Sequence, residues 1–277
     1  GYTYSLSALF EKNFHFGLDL VASYTFGHSK SVYDGTSSVA YSNWKYNYAV
    51  DSNNPGLAYS MFDIPHRVMV SVGYRTPRYA KGFMATTVSL VYNGYVGQRY
   101  SLTMNESYYD AEKKKTVYID YNGDGFGGNS LLYIPTEDEL QKMDFKTEED
   151  RRKFDEWIEG DSYAKKHRGA YAMRNSNSAP WENRVDLHVA QDIFVLKDRG
   201  SKFQVTFDVT NFANMLNKKW GTTYTAAYNV MPLQVIGNKK GEDGNYTNTY
   251  AYNSRNTITK NDILSRWHAQ IGCKYIF

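Results

Sequence analysis

The chain has 277 residues, a net charge of +3, one cysteine and an aromatic content of 16%. This aromatic content excludes a disordered chain, because disordered segments are poor in aromatic and β-branched residues. A single cysteine excludes a disulfide framework and any zinc or iron–sulfur site built from several cysteines. The small net charge gives no excess of Lys and Arg of the kind that binds nucleic acid. No stretch approaches the ~18 consecutive apolar residues of a membrane helix.

In chain order, seven segments alternate apolar and polar residues with a period of two, as half-buried β-strands do. Their apolar positions begin at Tyr2, Leu18, Val68, Met84, Val185, Phe203 and Trp267. The connections between these segments alternate in length along the whole chain. The short connections are turns of a few residues, and the long ones span about residues 28–65, 105–182 and 216–263.

Such long connections are uncommon in compact soluble domains and need a specific explanation. A transmembrane β-barrel provides one, because it has short turns on one side, long loops on the other, and strands that alternate between lipid and lumen. Asp186, His188 and Asp208 occupy the polar positions of their strands, where a wet lumen suits them better than a dry core. We therefore predict an all-β fold, an antiparallel transmembrane β-barrel segment of about seven strands with long extracellular loops. The alternative is a soluble β-sandwich, whose loops would rarely lengthen in strict alternation.

The second long loop is predicted to contain short helices. Residues Thr136 to Glu139 form the pattern of a capping box at a helix start. Thr147 precedes a second apolar pattern at helical spacing, with Phe154, Trp157 and Ile158 on one face and Gly160 after them.

The same loop contains a pattern typical of the first half of a calcium loop. Asp120, Asn122 and Asp124 place oxygen side chains at alternate positions before Gly125, which permits a sharp turn. The bidentate acid expected at the twelfth position is absent, because Leu131 stands there. We therefore carry two interpretations, a calcium site completed by other oxygen ligands and an ordinary turn rich in Asn and Gly.

The remaining candidate residues are aromatic. Trp44, Tyr46 and Tyr48 lie in the first long loop, and Trp181 closes the second. Tyr and Trp offer a wide contact area at a low cost in conformational entropy, so we predict that these four side chains contact a ligand. The alternative is that they pack one loop against another. No catalytic motif is present and Cys273 alternates with apolar residues, so we predict that the chain is not an enzyme.

Several local strings resemble those of a known family. The final alternation of Ile271, Cys273, Tyr275 and Phe277 resembles the sorting signal that the barrel-assembly machinery reads in outer-membrane barrels. The other strings are residues 62–68 (FDIPHRV), 129–135 (NSLLYIP), 174–175 (RN) with 179–181 (APW), and 208–212 (DVTNF) with Asn217 and 220–221 (WG). In this order they resemble the C-terminal barrel half of TonB-dependent outer-membrane receptors of Bacteroidetes. The nearest branch is the Oar-like one, which carries a carboxypeptidase-regulatory-like domain.

The resemblance covers residues 1–277 and implies a barrel of about 22 strands around an N-terminal plug. A sheet of seven strands has two open edges, and lipid cannot form hydrogen bonds with the unpaired backbone N–H and C=O groups of those edges. We therefore expect this chain to be the last part of that barrel. The resemblance implies that a signal peptide, a plug and earlier strands precede these residues. The implied location is the outer membrane of a Gram-negative bacterium, with the long loops extracellular and the C-terminus periplasmic. The implied partners are outer-membrane lipid, the plug and remaining strands, TonB and the barrel-assembly machinery.

The function that the resemblance implies is energised import of a nutrient, which the sequence leaves open as a peptide, a glycan or a chelate. This chain would supply barrel wall and ligand-capturing loops. An alternative from the Oar-like branch is a surface protein for adhesion, secretion or binding of a partner lipoprotein, without import. A passive porin is a third, less favoured interpretation. No nucleic-acid partner is expected, and calcium near residues 120–125 is the one cofactor considered.

Overall fold

The computed structural model describes residues 1–196, 201–225, 229–242, 244–254 and 258–277. Its largest sheet is an antiparallel meander in which each of seven long strands pairs with the next along the chain. These wall strands are β1 (Tyr2–Asn13), β2 (Leu18–Ser31), β3 (His66–Arg75), β4 (Met84–Tyr95), β5 (Glu182–Leu196), β6 (Ser201–Thr210) and β7 (His268–Ile276). The prediction of an all-β fold is confirmed, with strands that are mostly antiparallel. Within the described ranges β1 and β7 do not pair, so the sheet is an open wall.

The register of the wall separates an apolar face from a polar face. Directly paired residues of neighbouring strands point to the same side of a sheet. One such row crosses six strands and is entirely apolar: Leu20, Val72, Leu90, Leu187, Val209 and Ala269. The adjacent row is small or polar: Asp19, Gly73, Ser89, His188, Asp208 and Gln270. The predicted alternation of faces is therefore confirmed across the sheet.

The wall strands do not end where the sequence pattern placed their limits. The long connections occupy residues 32–65, 96–181 and 211–267. The second begins earlier than expected because the strand Arg99–Asn105 leaves the wall and joins another sheet. The third begins earlier because Asn211 adopts a left-handed conformation, with φ of 55°, that ends β6. The predicted turn between β5 and β6 covers residues 197–202. Residues 197–200 lie outside the described residues, and Ser201 and Lys202 belong to β6.

The three long connections fold together into a second packed unit, which we call the cap (the described residues of 32–65, 96–181 and 211–267). Its main sheet has five strands in the order Asp144–Phe145, Tyr246–Tyr252, Asn229–Lys240, Arg99–Asn105 and Asn177–Ser178. Shorter pairs join Tyr133–Ile134 to Ala170–Tyr171, Tyr224–Thr225 to Thr259–Lys260, and Ser107–Asp110 to Lys115–Tyr118. The strand Ala58–Tyr59 pairs with the end of β2.

The helices of the molecule all lie in the cap, as far as the structure describes it. They are α1 (Ala40–Lys45), α2 (Glu137–Lys142), α3 (Glu148–Gly160), α4 (Phe212–Leu216) and a 3₁₀ turn at Ala164–Lys166. The predicted capping box of Thr136 is present at α2, and the Thr147 hydroxyl accepts the Asp150 N–H at the start of α3. No described helix has the length and apolar character needed to cross a membrane.

The hydrophobic core of the molecule lies in the cap and not in the wall. Its fully buried side chains include Leu102, Leu132, Ile134, Leu140, Phe154, Ile158 and Leu233. Phe154 and Ile158 come from one face of α3, since residues four apart in a helix share a face. They pack beside strands from the second and third long connections, so these two connections fold as one unit.

Candidate functional site

Two buried arginine–aspartate pairs fix the cap to the end of the wall. In the first, which we call the Asp63 clamp, the Asp63 carboxylate is 2% exposed and precedes β3. It accepts hydrogen bonds from three residues: the Ser29 N–H at 2.6 Å, Arg99 Nε and Nη2 at 3.0 and 2.7 Å, and His28 Nδ1 at 3.3 Å. The Arg99 guanidinium also lies 4.1 Å from the centre of the Tyr59 ring. The clamp thus joins the end of β2, the segment that leads into β3 and the cap strand Arg99–Asn105.

The second pair, the Arg174 clamp, closes the second long connection onto the first. Arg174 Nη1 donates to Asp34 Oδ2 at 3.2 Å and Asn47 Oδ1 at 2.8 Å, and Nη2 donates to the Ser31 carbonyl at 2.5 Å. The next residue, Asn175, has a positive φ of 55° and donates to Asp34 Oδ2 at 3.2 Å. Burial lowers the pKa of the Arg174 guanidinium, and the Asp34 carboxylate opposes this shift.

A cavity of about 430 Å³ is lined in part by the Arg174 clamp. Its lining combines aromatic rings with hydroxyl and amide side chains, and includes Thr36, Ser42, Asn43, Tyr46, Asn47 and Tyr48 beside Asp34 and Arg174. Tyr46 is 65% exposed and meets the Phe126 ring edge-on at 6.3 Å between ring centres. Segments from two long connections therefore build one site.

The charged groups at the base of this cavity are already satisfied by the protein. Asp34 Oδ1 accepts from the Ser31 hydroxyl at 2.9 Å and the Met61 N–H at 3.2 Å, and its Oδ2 accepts from the clamp. The cavity consequently offers a ligand aromatic faces and neutral polar groups, with no free carboxylate or guanidinium at Asp34 or Arg174.

The structure brings together only some of the predicted ligand contacts. Tyr46 and Tyr48 line the cavity, whereas Trp44 stacks on Tyr41, with ring centres 6.1 Å apart, and does not line it. Trp181 lies elsewhere, since its Nε1 donates to Asn183 Oδ1 at 3.0 Å on the apolar side of β5. Contact of these four residues with a ligand stays a prediction. The residues that the sequence reasoning missed are Asp34 and Arg174, which hold the cavity in place.

The predicted calcium loop is folded by its own hydrogen bonds. The Asp120 carboxylate accepts the N–H groups of Asp124 and Gly125 at 3.2 and 2.7 Å. Asp124 Oδ2 accepts from the Ser52 hydroxyl at 2.6 Å and from Asn129 Nδ2 at 2.7 Å. Although burial opposes the shift, these hydrogen bonds lower the pKa of Asp124. Over the described ranges, no group of three or more His, Cys, Asp or Glu side chains is arranged to hold a metal, so calcium binding stays a prediction.

The four residues of the predicted sorting signal lie at the end of the chain. Ile271, Cys273 and Tyr275 pair with Phe207, Val205 and Phe203 on the apolar face of the wall. Phe277 follows β7 and stacks on Tyr275, with ring centres 6.1 Å apart. These apolar side chains are exposed along the free edge of β7, and their role in assembly stays a prediction.

Comparison with known proteins gives one match. The model of a family described as "Outer membrane beta barrel domain" matches residues 2–256. No curated protein and no solved structure shows a significant match. The matched range contains strands β1 to β6 and most of the cap.

Proposed function

The chain belongs to the outer membrane beta barrel domain family, and from this premise we propose that it forms wall and cap of a TonB-dependent receptor that imports a nutrient. Family membership suggests a location in the outer membrane. In the proposed arrangement the apolar face of the wall contacts lipid, the polar face lines the lumen, and the cap lies outside the cell. The strings shared with Bacteroidetes receptors of the Oar-like branch support this assignment.

The observation that carries the proposal is the cavity built by the packed cap. A volume of about 430 Å³ lies within the range of roughly 300–1,000 Å³ that is usual for small-ligand pockets. A passive pore has no need of such a site, whereas a receptor must capture a scarce solute before transport. The cavity supports capture of part of a peptide, a glycan or a chelate through ring stacking and neutral hydrogen bonds.

We test import by growing cells on media in which a peptide, a glycan or a metal chelate limits growth. Uptake by this protein is expected with one of these nutrients and is expected to disappear when TonB is deleted. Uptake that continues at the same rate without TonB would contradict the proposal and favour a passive pore.

Within that assay, Tyr46→Ala is expected to weaken ligand capture about tenfold, because one stacking surface of the cavity is lost, worth about 1.4 kcal/mol. The readout is the nutrient concentration that gives half-maximal uptake. Tyr109→Ala is the matched control, because both tyrosines are 65% exposed but Tyr109 lies in the hairpin of residues 107–118, outside the cavity. Equal effects of the two substitutions would remove the cavity from the proposal.

A surface-binding protein without import is the second candidate function. Tyr109 and Tyr118 of the same hairpin are both strongly exposed, and exposed aromatic side chains are common where proteins bind partners. A partner lipoprotein or a matrix component is the expected target in this case. Adhesion or partner capture that persists without TonB, together with no nutrient uptake, would favour this candidate.

The proposed orientation of the wall makes a separate prediction. Phe207→Arg places a charge on the apolar face in the middle of β6 and is expected to destabilise the folded barrel by about 2–4 kcal/mol. Gln270→Arg, on the polar face beside Asp208, is expected to be tolerated. The folded fraction is read from the heat-dependent shift of the full-length protein in electrophoresis. Equal loss from both substitutions would show that the apolar face does not contact lipid.

A further inference from the structure

We propose that the loop of residues 119–129 binds a calcium ion, and that Glu106 supplies the carboxylate that this loop lacks at its twelfth position. Asp120, Asn122 and Asp124 occupy the first, third and fifth positions of a calcium loop, and Leu131 occupies the twelfth. The proposal does not depend on import, because a surface-binding protein would use the same site.

Glu106 is folded into this loop from the neighbouring strand. Its carbonyl accepts the Ile119 N–H at 2.7 Å, one residue before Asp120. Its side chain is directed to the far end of the loop, where Oε2 accepts the Gly128 N–H. The residue is only 2% exposed, so its carboxylate is held inside the loop and away from water.

The other carboxylate oxygen of Glu106 points to a missing ligand. Oε1 is buried and has no hydrogen-bond partner, and the same is true of the neighbouring Ser130 hydroxyl. Buried polar atoms are nearly always satisfied, because an unsatisfied one loses its hydration without compensation. The Ser130 hydroxyl lies close to the carboxylate but forms no hydrogen bond with Oε1, whereas a bound cation would satisfy Oε1 directly.

The charge of the loop favours a cation for the same reason. Glu106, Asp120 and Asp124 place three carboxylates in or against the same loop. Among the described ion pairs, none joins a Lys or Arg to any of these three carboxylates. The nearby Lys45 ammonium lies 4.0 Å from the centre of the Phe126 ring instead. Three carboxylates without a counter-ion create a site for a divalent cation.

Calcium suits this loop better than magnesium. Calcium accepts six to eight oxygen ligands in flexible geometry, whereas magnesium demands a near-ideal octahedron. The oxygens are hydrogen-bonded within the loop and not gathered on one point, so the ion must draw Glu106 and the loop together as it binds. Asp124 also accepts a hydrogen bond from the Ser52 hydroxyl, which belongs to the first long connection. Calcium binding would therefore also stabilise this connection, which contains Tyr46 and most of the cavity lining.

The test uses the full-length protein purified in detergent, freed of metal by a chelator and titrated with terbium(III). Tyr121 lies in the loop and sensitises terbium luminescence, so one saturable site that calcium displaces is expected. Glu106→Gln is expected to weaken the binding of both terbium and calcium at least tenfold. Glu112→Gln, an exposed acid in the adjacent hairpin, is the matched control and is expected to bind as the parent protein does. Absence of a saturable site, or equal affinity in Glu106→Gln and the parent, would overturn the proposal.

A second measurement separates loss of the ligand from failure to fold. Without metal, Glu106→Gln is expected to resist proteolysis of the cap at least as well as the parent, because it removes a buried, unpaired charge. Extracellular calcium-binding modules have dissociation constants of roughly 10⁻⁴–10⁻³ M. At a calcium concentration a few-fold above this range, only the parent protein is expected to gain resistance to proteolysis. A calcium-dependent gain of the same size in Glu106→Gln would show that Glu106 is not a ligand.

Discussion

Replacing Asp63 by alanine is expected to release the cap from the wall while the wall stays folded. The substitution removes the acceptor of the Asp63 clamp and leaves the Arg99 guanidinium buried without its partner. Breaking a buried ion pair from one side costs about 3–5 kcal/mol, because an uncompensated charge remains in a place with little water. The expected result is rapid proteolysis within residues 96–181, with the heat-dependent electrophoretic shift of the barrel retained.

Two controls distinguish the clamp from a general loss of stability. In the double variant Asp63→Ala with Arg99→Met, no unpaired charge remains, so protease resistance is expected to return in part. Glu149→Ala breaks an exposed pair with Arg152 on α3 and is expected to change nothing measurable. A double variant as sensitive as Asp63→Ala alone would show that the ion pair is not what holds the cap.

The wall was predictable because the sequence pattern that specifies each strand lies within that strand. Alternation within each strand gives both the strand and its apolar face, and consecutive antiparallel pairing then fixes the sheet. The helix starts at Thr136 and Thr147 were predictable for the same reason, since a cap residue and its partner are three residues apart.

The cap was not predictable as a packed unit, because its contacts join distant parts of the chain. The strand Arg99–Asn105 pairs with Asn229–Lys240, which belongs to another connection, and no periodicity in either segment indicates this partner. The Arg174 clamp has the same character, since Arg174 and Asp34 are far apart in sequence. Glu106 was missed because a calcium-loop pattern extends forward from its first ligand, and this acid precedes it.

The strings that carried the family resemblance are the parts of the chain that hold cap and wall together. Asp63 and the Arg174–Asn175 pair belong to the two clamps described above. Asn211 forms a third junction, where Nδ2 donates to the Gly221 carbonyl at 2.7 Å and the Ser265 carbonyl at 2.8 Å. Any side chain at Gly221 would collide with the Asn211 amide. These residues are structural, which explains why the strings leave the ligand open.

Phe154→Ala is expected to unfold the cap without unfolding the wall. Phe154 is fully buried in the cap core, where α3 meets strands of the second and third long connections. Its ring stacks on Trp157, with ring centres 6.0 Å apart. Removing such a ring costs about 3–5 kcal/mol, since the lost contacts are accompanied by a cavity that the surroundings fill only partly. The expected signature is lower fluorescence anisotropy and red-shifted emission of the tryptophans, all five of which lie in the cap, at a denaturant concentration that leaves the barrel folded.

The matched control for this substitution is Tyr118→Ala, which removes a strongly exposed ring from the same connection. It is expected to leave the unfolding midpoint of the cap unchanged, because no packed contact is lost. If the Phe154 variant lost cap and barrel in a single transition, the wall would depend on the cap for its own stability. If both the cap and the barrel of the Phe154 variant stayed folded, the packed core would not be what fixes the long connections. Since the clamps act at the base of the cap and Phe154 at its centre, losses from Asp63→Ala and Phe154→Ala are expected to add when combined.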